Sequence, residues 1–97
     1  MELILPQEIK DRLAKGEELT IVDVREDDEV AAGMIAGAQH IPLGELPDRH
    51  TEIKQNGEEI ILVCRSGNRS GKALNYLESL GYKGLKNMTG GMLEWAE

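Results

Sequence analysis

Two apolar runs restrict the fold more than any other feature of this chain. Leu19-Thr20-Ile21-Val22-Asp23-Val24 and Glu59-Ile60-Ile61-Leu62-Val63 are nearly continuous in hydrophobic residues and show no alternating polar side. A strand built this way has no face to give to water, so it belongs inside a sheet covered on both sides, as parallel sheets are. The second run ends at Cys64, the one cysteine of the chain. Shorter strand candidates lie at residues 3–5, 39–41 and 84–87.

The stretches between the strands carry helical spacing. Pro6 suits a first helical turn, Ile9 and Leu13 fall four apart on one face, and Gly16 stands where a terminating glycine belongs. Leu5 offers no capping oxygen, so the first amides of that helix are left to water. Residues 70–80 form the strongest helix, with Ala73, Leu74, Leu77 and Leu80 as one apolar stripe and Gly81 as its stop. Residues 27–32 and 46–50 are short helix candidates, and a last helix runs from Gly91 to the C-terminus with Met92 and Trp95 on one face. Strands alternating with helices predict βαβ units, hence a mainly parallel sheet with helices on both faces. The 97 residues allow one core, and no repeat, linker or low-complexity tract divides them. One α/β domain over residues 1–97 is expected.

Charge and composition narrow the partners. The 11 Lys+Arg against 18 Asp+Glu leave a formal net charge of −7, which repels phosphate backbones and anionic lipid and speaks against nucleic-acid and membrane binding. No apolar run approaches the roughly 20 residues of a membrane span, and Met1-Glu2-Leu3 lacks the start of a secretory signal. One cysteine excludes an internal disulfide. The expectation is a small soluble protein of a reducing compartment, the cytoplasm. Aromatic residues make up only 3%, so the core is aliphatic.

The segment Val63-Cys64-Arg65-Ser66-Gly67-Asn68-Arg69-Ser70 holds the chemistry. A buried strand ends at a thiol and a helix begins a few residues on, and in an open α/β sheet ligands bind at the carboxyl ends of the strands. Nothing between Cys64 and the helix is apolar. Gly67 and Asn68 tolerate positive φ, which lets the loop curl and turn its N–H groups inward, and Ser70 is a candidate N-cap. Inward amides and the positive end of a helix favour thiolate over thiol. Arg65 and Arg69 add two cations that would attract an anionic substrate. Cys64 therefore reads as a nucleophile in an anion cradle that needs no neighbouring histidine; the competing reading is an inert small residue that finishes a strand.

This loop resembles the cysteine loop of the rhodanese (sulfurtransferase) family, in its single-domain form. Val22-Asp23-Val24-Arg25-Glu26 is similar to the family's strand-end motif. Gly33-Met34-Ile35-Ala36-Gly37-Ala38, followed by His40-Ile41-Pro42-Leu43, is similar to its glycine-rich link, with Met34 where the family often has His. Asn87-Met88-Thr89-Gly90-Gly91-Met92, with Trp95 beyond, is similar to its closing Gly-Gly turn and terminal helix. The resemblance implies a rhodanese-like, five-stranded, mainly parallel sheet with helices on both faces. It also implies ping-pong sulfur transfer. The Cys64 thiolate would take a sulfane sulfur from an anionic donor such as thiosulfate or a persulfide, and a thiol or cyanide would remove it. A protein acceptor is also compatible. The amides of Arg65, Ser66, Gly67, Asn68, Arg69 and Ser70 would hold the persulfide, and no metal or organic cofactor is implied.

Three rival readings stand beside this one. A phosphatase or arsenate reductase of related fold uses Cys-x5-Arg, but Cys64 to Arg69 is Cys-x4-Arg, a smaller ring with less room for a tetrahedral oxyanion. A non-catalytic interaction module would keep the fold without needing the cysteine. A redox sensor would need only an exposed thiolate, and it would have no resolving cysteine within the chain. Elsewhere the readings are structural. Asp23 and Arg25 form either an ion pair bracing the sheet edge or two solvated charges. His40 and His50 lack metal-ligand spacing, and Met88, Met92 and Trp95 read as packing. Glu26-Asp27-Asp28-Glu29 reads as a solvated helix start favoured by the dipole.

Overall fold

The two apolar runs lie side by side at the heart of a five-stranded sheet in the computed structural model of the chain, which describes residues 1–95. The strands are β1 (Leu3–Ile4), β2 (Ile21–Asp23), β3 (Gln39–His40), β4 (Ile60–Val63) and β5 (Leu85–Met88), in the order β1-β5-β4-β2-β3. Every pairing is parallel, so the sheet is wholly rather than mainly parallel. β4 is central, with Val22 opposite Leu62 on one side and Asn87 opposite Leu62 on the other. Parallel neighbours need crossovers, and the chain supplies them as α1 (Pro6–Ala14), α2 (Asp27–Ala31), α3 (Leu46–Arg49) and α4 (Asn68–Ser79), followed by α5 (Gly91–Trp95).

Side chains of β4 alternate between two cores. Ile60, Leu62 and Cys64 join Val22, Val24, Ile41, Leu46 and the α4 residues Ala73, Leu74 and Leu77. Ile61 and Val63 join Ile4, Ile9, Ile21 and Met88, with Met92 and Trp95 packed against them. All four residues of β4 are fully buried, as a run without a polar side requires. Placing α3 and α4 on one face and α1 and α5 on the other accounts for both clusters. Parallel strands put every carboxyl end on one edge, and Cys64 follows directly from the central strand there.

The structure departs from the sequence expectations at element ends. Leu80 does not extend the apolar stripe of α4 and is 45% exposed. The chain reverses just there: Gly81 takes φ 98, the Tyr82 amide returns to the Leu77 carbonyl at 3.2 Å, and Tyr82 packs where Leu80 was expected. The helix starts at Asn68, two residues before its expected start. Leu5 caps α1 without a side-chain hydrogen bond, as its chemistry dictates. The last helix is described through Trp95, and its expected final residues, 96 and 97, lie outside the described residues.

At the opposite edge of the sheet, Arg12 of α1 and Lys86 of β5 both bind Glu59, each at 2.5 Å. Arg12 first, then Lys86, draws the Glu59 carboxyl down to about 2. The turn into β5 is tight beside this cluster. Gly84 has φ 71, its carbonyl accepts the Ile60 amide at 2.9 Å, and a Cβ there would overlap the Glu58 carbonyl oxygen. Gly16 also has positive φ, but space around it is open. Gly84→Ala is therefore expected to cost about 2–4 kcal/mol and to lower Tm by roughly 10–20 °C, whereas Gly16→Ala costs about 1 kcal/mol. Equal Tm losses for the two variants in thermal unfolding would show that the Glu58 contact is not the cause.

Candidate active site

Cys64 is 1% exposed and lies where β4 gives way to a three-residue turn. Gly67 makes that turn possible: with φ 104 it occupies the N-cap of α4 and aims its N–H at the Cys64 Sγ, 3.0 Å away. Asn68 has no positive φ, so the curl rests on Gly67 alone. Ser70 is not the N-cap. It falls in the first turn of α4, completely buried, with its Oγ 3.3 Å from the sulfur. The same hydroxyl lies 2.5 Å from the Asn87 Oδ1. It carries one proton, so it serves one of these acceptors at a time.

Asn87 was not anticipated. It stands on β5 beside β4, buried, and its Nδ2 donates to the Gly67 carbonyl at 3.0 Å. It thus ties the loop's one left-handed residue to the strand and sets the position of Ser70. The available signal was an amide at the end of the strand candidate 84–87, shortly before the Gly-Gly turn.

Two opposing effects act on the thiol. Burial pushes its pKa up. The Ser70 hydroxyl and the backbone N–H groups of Ser70, Gly67 and Ser66 outweigh this and hold it below its ordinary value. The 12-residue α4 points its positive end at the same place. The arrangement can keep a sulfur anion in a dry setting with donors already aimed.

The two arginines have different fates. Arg65 is exposed and makes no ion pair among the described residues. Arg69 is not an unpaired cation. Its Nη1 and Nη2 bind the Glu29 Oε1 and Oε2 at 2.6 and 2.8 Å, a two-pronged pair across from α2. Glu29 is accordingly not a solvated helix-start residue. Its side chain is 23% exposed, and Arg69, assisted by the Glu26 backbone amide, draws its carboxyl to about 2. The neighbouring Asp27 and Asp28 are exposed, as expected.

Asp23 and Arg25, left open by the sequence, form a buried bidentate pair. The Arg25 Nε and Nη2 donate to the Asp23 carboxylate at 2.8–3.1 Å, and Nη2 also donates to the Gly33 carbonyl at 2.8 Å. His40 Nε2 lies 2.7 Å from the Arg25 carbonyl oxygen, and His50 Nδ1 lies 2.8 Å from the Tyr82 hydroxyl. Both histidines are structural. Among the described residues no group of three His, Cys, Asp or Glu side chains is placed to hold a metal ion.

The Gly-Gly turn is built against the loop. Met92 and Leu93 donate their N–H groups to the carbonyls of Cys64 and Arg65 at 2.8 and 3.0 Å. Gly91, with φ 61, lies so close that a Cβ would overlap the Arg65 carbonyl and come within 2.6 Å of the Cys64 oxygen. α5 therefore binds the outer, carbonyl side of the loop while the amides face the sulfur.

Comparison with known proteins gives a consistent picture. The Rhodanese-like domain family matches residues 5–97. A protein of Allochromatium vinosum named sulfurtransferase is 38% identical over 90 residues, covering 93% of this chain and 83% of its own. The human thiosulfate:glutathione sulfurtransferase is 33% identical over 103 residues, covering 93% of this chain and 89% of its own. The crystal structure of a rhodanese-like domain protein from Staphylococcus aureus superposes with a TM-score of 0.88 at 38% identity, over 98% of this chain and 91% of that one. Agreement of this extent, in sequence and in backbone alike, makes the chain a member of the Rhodanese-like domain family.

Proposed function

We propose that the chain, acting as one domain over residues 1–97, is a sulfurtransferase that carries a sulfane sulfur as a persulfide on Cys64. Relatives named as sulfurtransferases support the general activity. The observation that carries the mechanism is the Cys64 Sγ held by the Gly67 amide and the Ser70 hydroxyl, with its pKa lowered despite burial.

The thiolate attacks the outer sulfur of the donor. With thiosulfate, a Cys64 Sγ–S bond forms as the S–S bond of the donor breaks, and sulfite leaves with the bonding pair. With an organic persulfide, a thiolate leaves instead. The terminal sulfur of the enzyme persulfide is anionic and takes over the donors that held the thiolate, with the amides from Arg65 to Ser70 lining it. An acceptor thiolate or cyanide then attacks that sulfur, and the Cys64 thiolate returns. A protein thiol can serve as acceptor in the same way. Arg65 is the cation available to draw an anionic donor in. A reducing compartment such as the cytoplasm keeps Cys64 in the form this cycle needs.

Incubation with thiosulfate is expected to add one sulfur to the intact mass of the wild type, removable by reductant, and to add nothing to Cys64→Ser. Cys64→Ala is expected to fold and to lose at least about a thousandfold in turnover. If neither thiosulfate nor a small-molecule persulfide leaves a reducible adduct, the persulfide mechanism fails.

Ser70→Ala removes a donor to the charged form of the sulfur, so the thiol pKa rises. The alkylation rate of Cys64 against pH should have its midpoint below that of a free cysteine, about 8.5, in wild type. In Ser70→Ala the midpoint moves up and sulfur transfer at neutral pH slows. An unmoved midpoint would mean that the Ser70 proton stays with Asn87 and that the backbone amides do the work alone.

A further inference from the structure

Glu29 brings a permanent negative charge to a site that must receive anions. It reaches from α2 to the first turn of α4 and occupies both Nη atoms of Arg69 at 2.6 and 2.8 Å. Its carboxyl is held at about 2, so it is ionised wherever a thiolate exists. Arg69 stands in the first turn of α4 next to Ser70, whose hydroxyl lies 3.3 Å from the Cys64 sulfur, and the charge of Arg25 also favours the Glu29 carboxylate. The Glu29 carboxylate also accepts the Glu26 backbone N–H at 3.0 Å, which helps to start α2. That helix-capping bond does not require a charge, since Gln serves the same position. Arg65 is left as the cysteine loop's one cation without an ion pair among the described residues.

We propose that Glu29 is a specificity-determining residue: by holding Arg69 it withdraws one cation from incoming donors and sets a fixed anion at the start of α4, next to the cysteine loop, so the site disfavours donors whose charge lies next to the transferred sulfur. Thiosulfate, a compact dianion, is the penalised class. An organic persulfide, whose remaining charges lie farther from the sulfane sulfur, is the favoured one. The identity of these donors rests on the sulfur-transfer reading above. The electrostatic effect of Glu29 on an anion approaching Cys64 does not.

The test uses two alkylating reagents of nearly the same shape, anionic iodoacetate and neutral iodoacetamide, on the full chain. The ratio of their rate constants at Cys64 cancels thiolate fraction and access, and reports the field met by an approaching anion. Glu29→Gln, which keeps the α2 capping bond, should raise the ratio by about threefold or more. Glu29→Ala removes the same charge without that bond and should do likewise. Glu78→Gln makes the same change in net charge from the last turn of α4, about 15 Å along the helix from Asn68, and should leave the ratio nearly unchanged. With thiosulfate as donor, Glu29→Gln should lower KM with little change in kcat. An equal rise in Glu78→Gln, or no rise in either Glu29 variant, overturns the proposal. A fall in the ratio does too, since Glu29 would then be presenting Arg69 to anions. If wild type transfers no sulfur from any donor, the proposed function fails, while the alkylation ratio still decides the role of Glu29.

Discussion

In the proposed cycle the Cys64 sulfur carries negative charge while almost out of contact with water, and that is the constraint around which the rest is arranged. Burial alone would make Cys64 an ordinary inert thiol. The offset comes from donors that belong to the fold: a backbone N–H exposed by the left-handed Gly67, the amides at the start of α4, and the Ser70 hydroxyl. Each donor is positioned by an element that also buries apolar surface. Ser70 enters the site because Ala73, Leu74 and Leu77 seat α4 on the sheet. The chemistry and the core share one helix.

The loop is gripped from both sides. On the sulfur side, Asn87 ties the Gly67 carbonyl and the Ser70 hydroxyl to β5. On the outer side, the first amides of α5 take the carbonyls of Cys64 and Arg65. A helix start needs acceptors for its free N–H groups, and a loop that turns its amides inward must leave its carbonyls pointing out. The two requirements satisfy each other, which is why Gly91 must come so close. The Asp23–Arg25 pair does similar service next door. Buried and two-pronged, it ties the end of β2 to the Gly33 carbonyl and, through the Arg25 carbonyl, to His40.

Much of the fold was legible because its signals are local. The β4 run has no polar face and is buried on both, and the Leu77 spacing and Gly81 stop of α4 hold in the structure. Leu80 misled because periodicity does not register where a chain reverses. In the site, the cysteine loop could be located from its composition, but the partners of its side chains could not. Ser70 before an apolar helix is what an N-cap looks like, and only the turn at Gly67 moves the helix start upstream of it. Glu29 and Arg69 are 40 residues apart, and Ser70 and Asn87 are 17 apart. Such pairs are fixed by the order of strands in the sheet, to which a one-dimensional pattern is blind. Asp23 and Arg25 were two residues apart and still undecided, because whether they pair depends on their burial.

The first strand of the chain pairs with the last: Leu3 faces Asn87 and Ile4 faces Met88. In a chain made from its N-terminus, Cys64 therefore exists before β5 and α5, the elements that orient Ser70 and anchor the loop's carbonyls, and β1 waits for its partner until the same moment. A half-made chain carries the thiol and its nearby donors without the strand and helix that hold them in place. The last strand and helix therefore complete the support of the cysteine loop in the same step that gives β1 its partner.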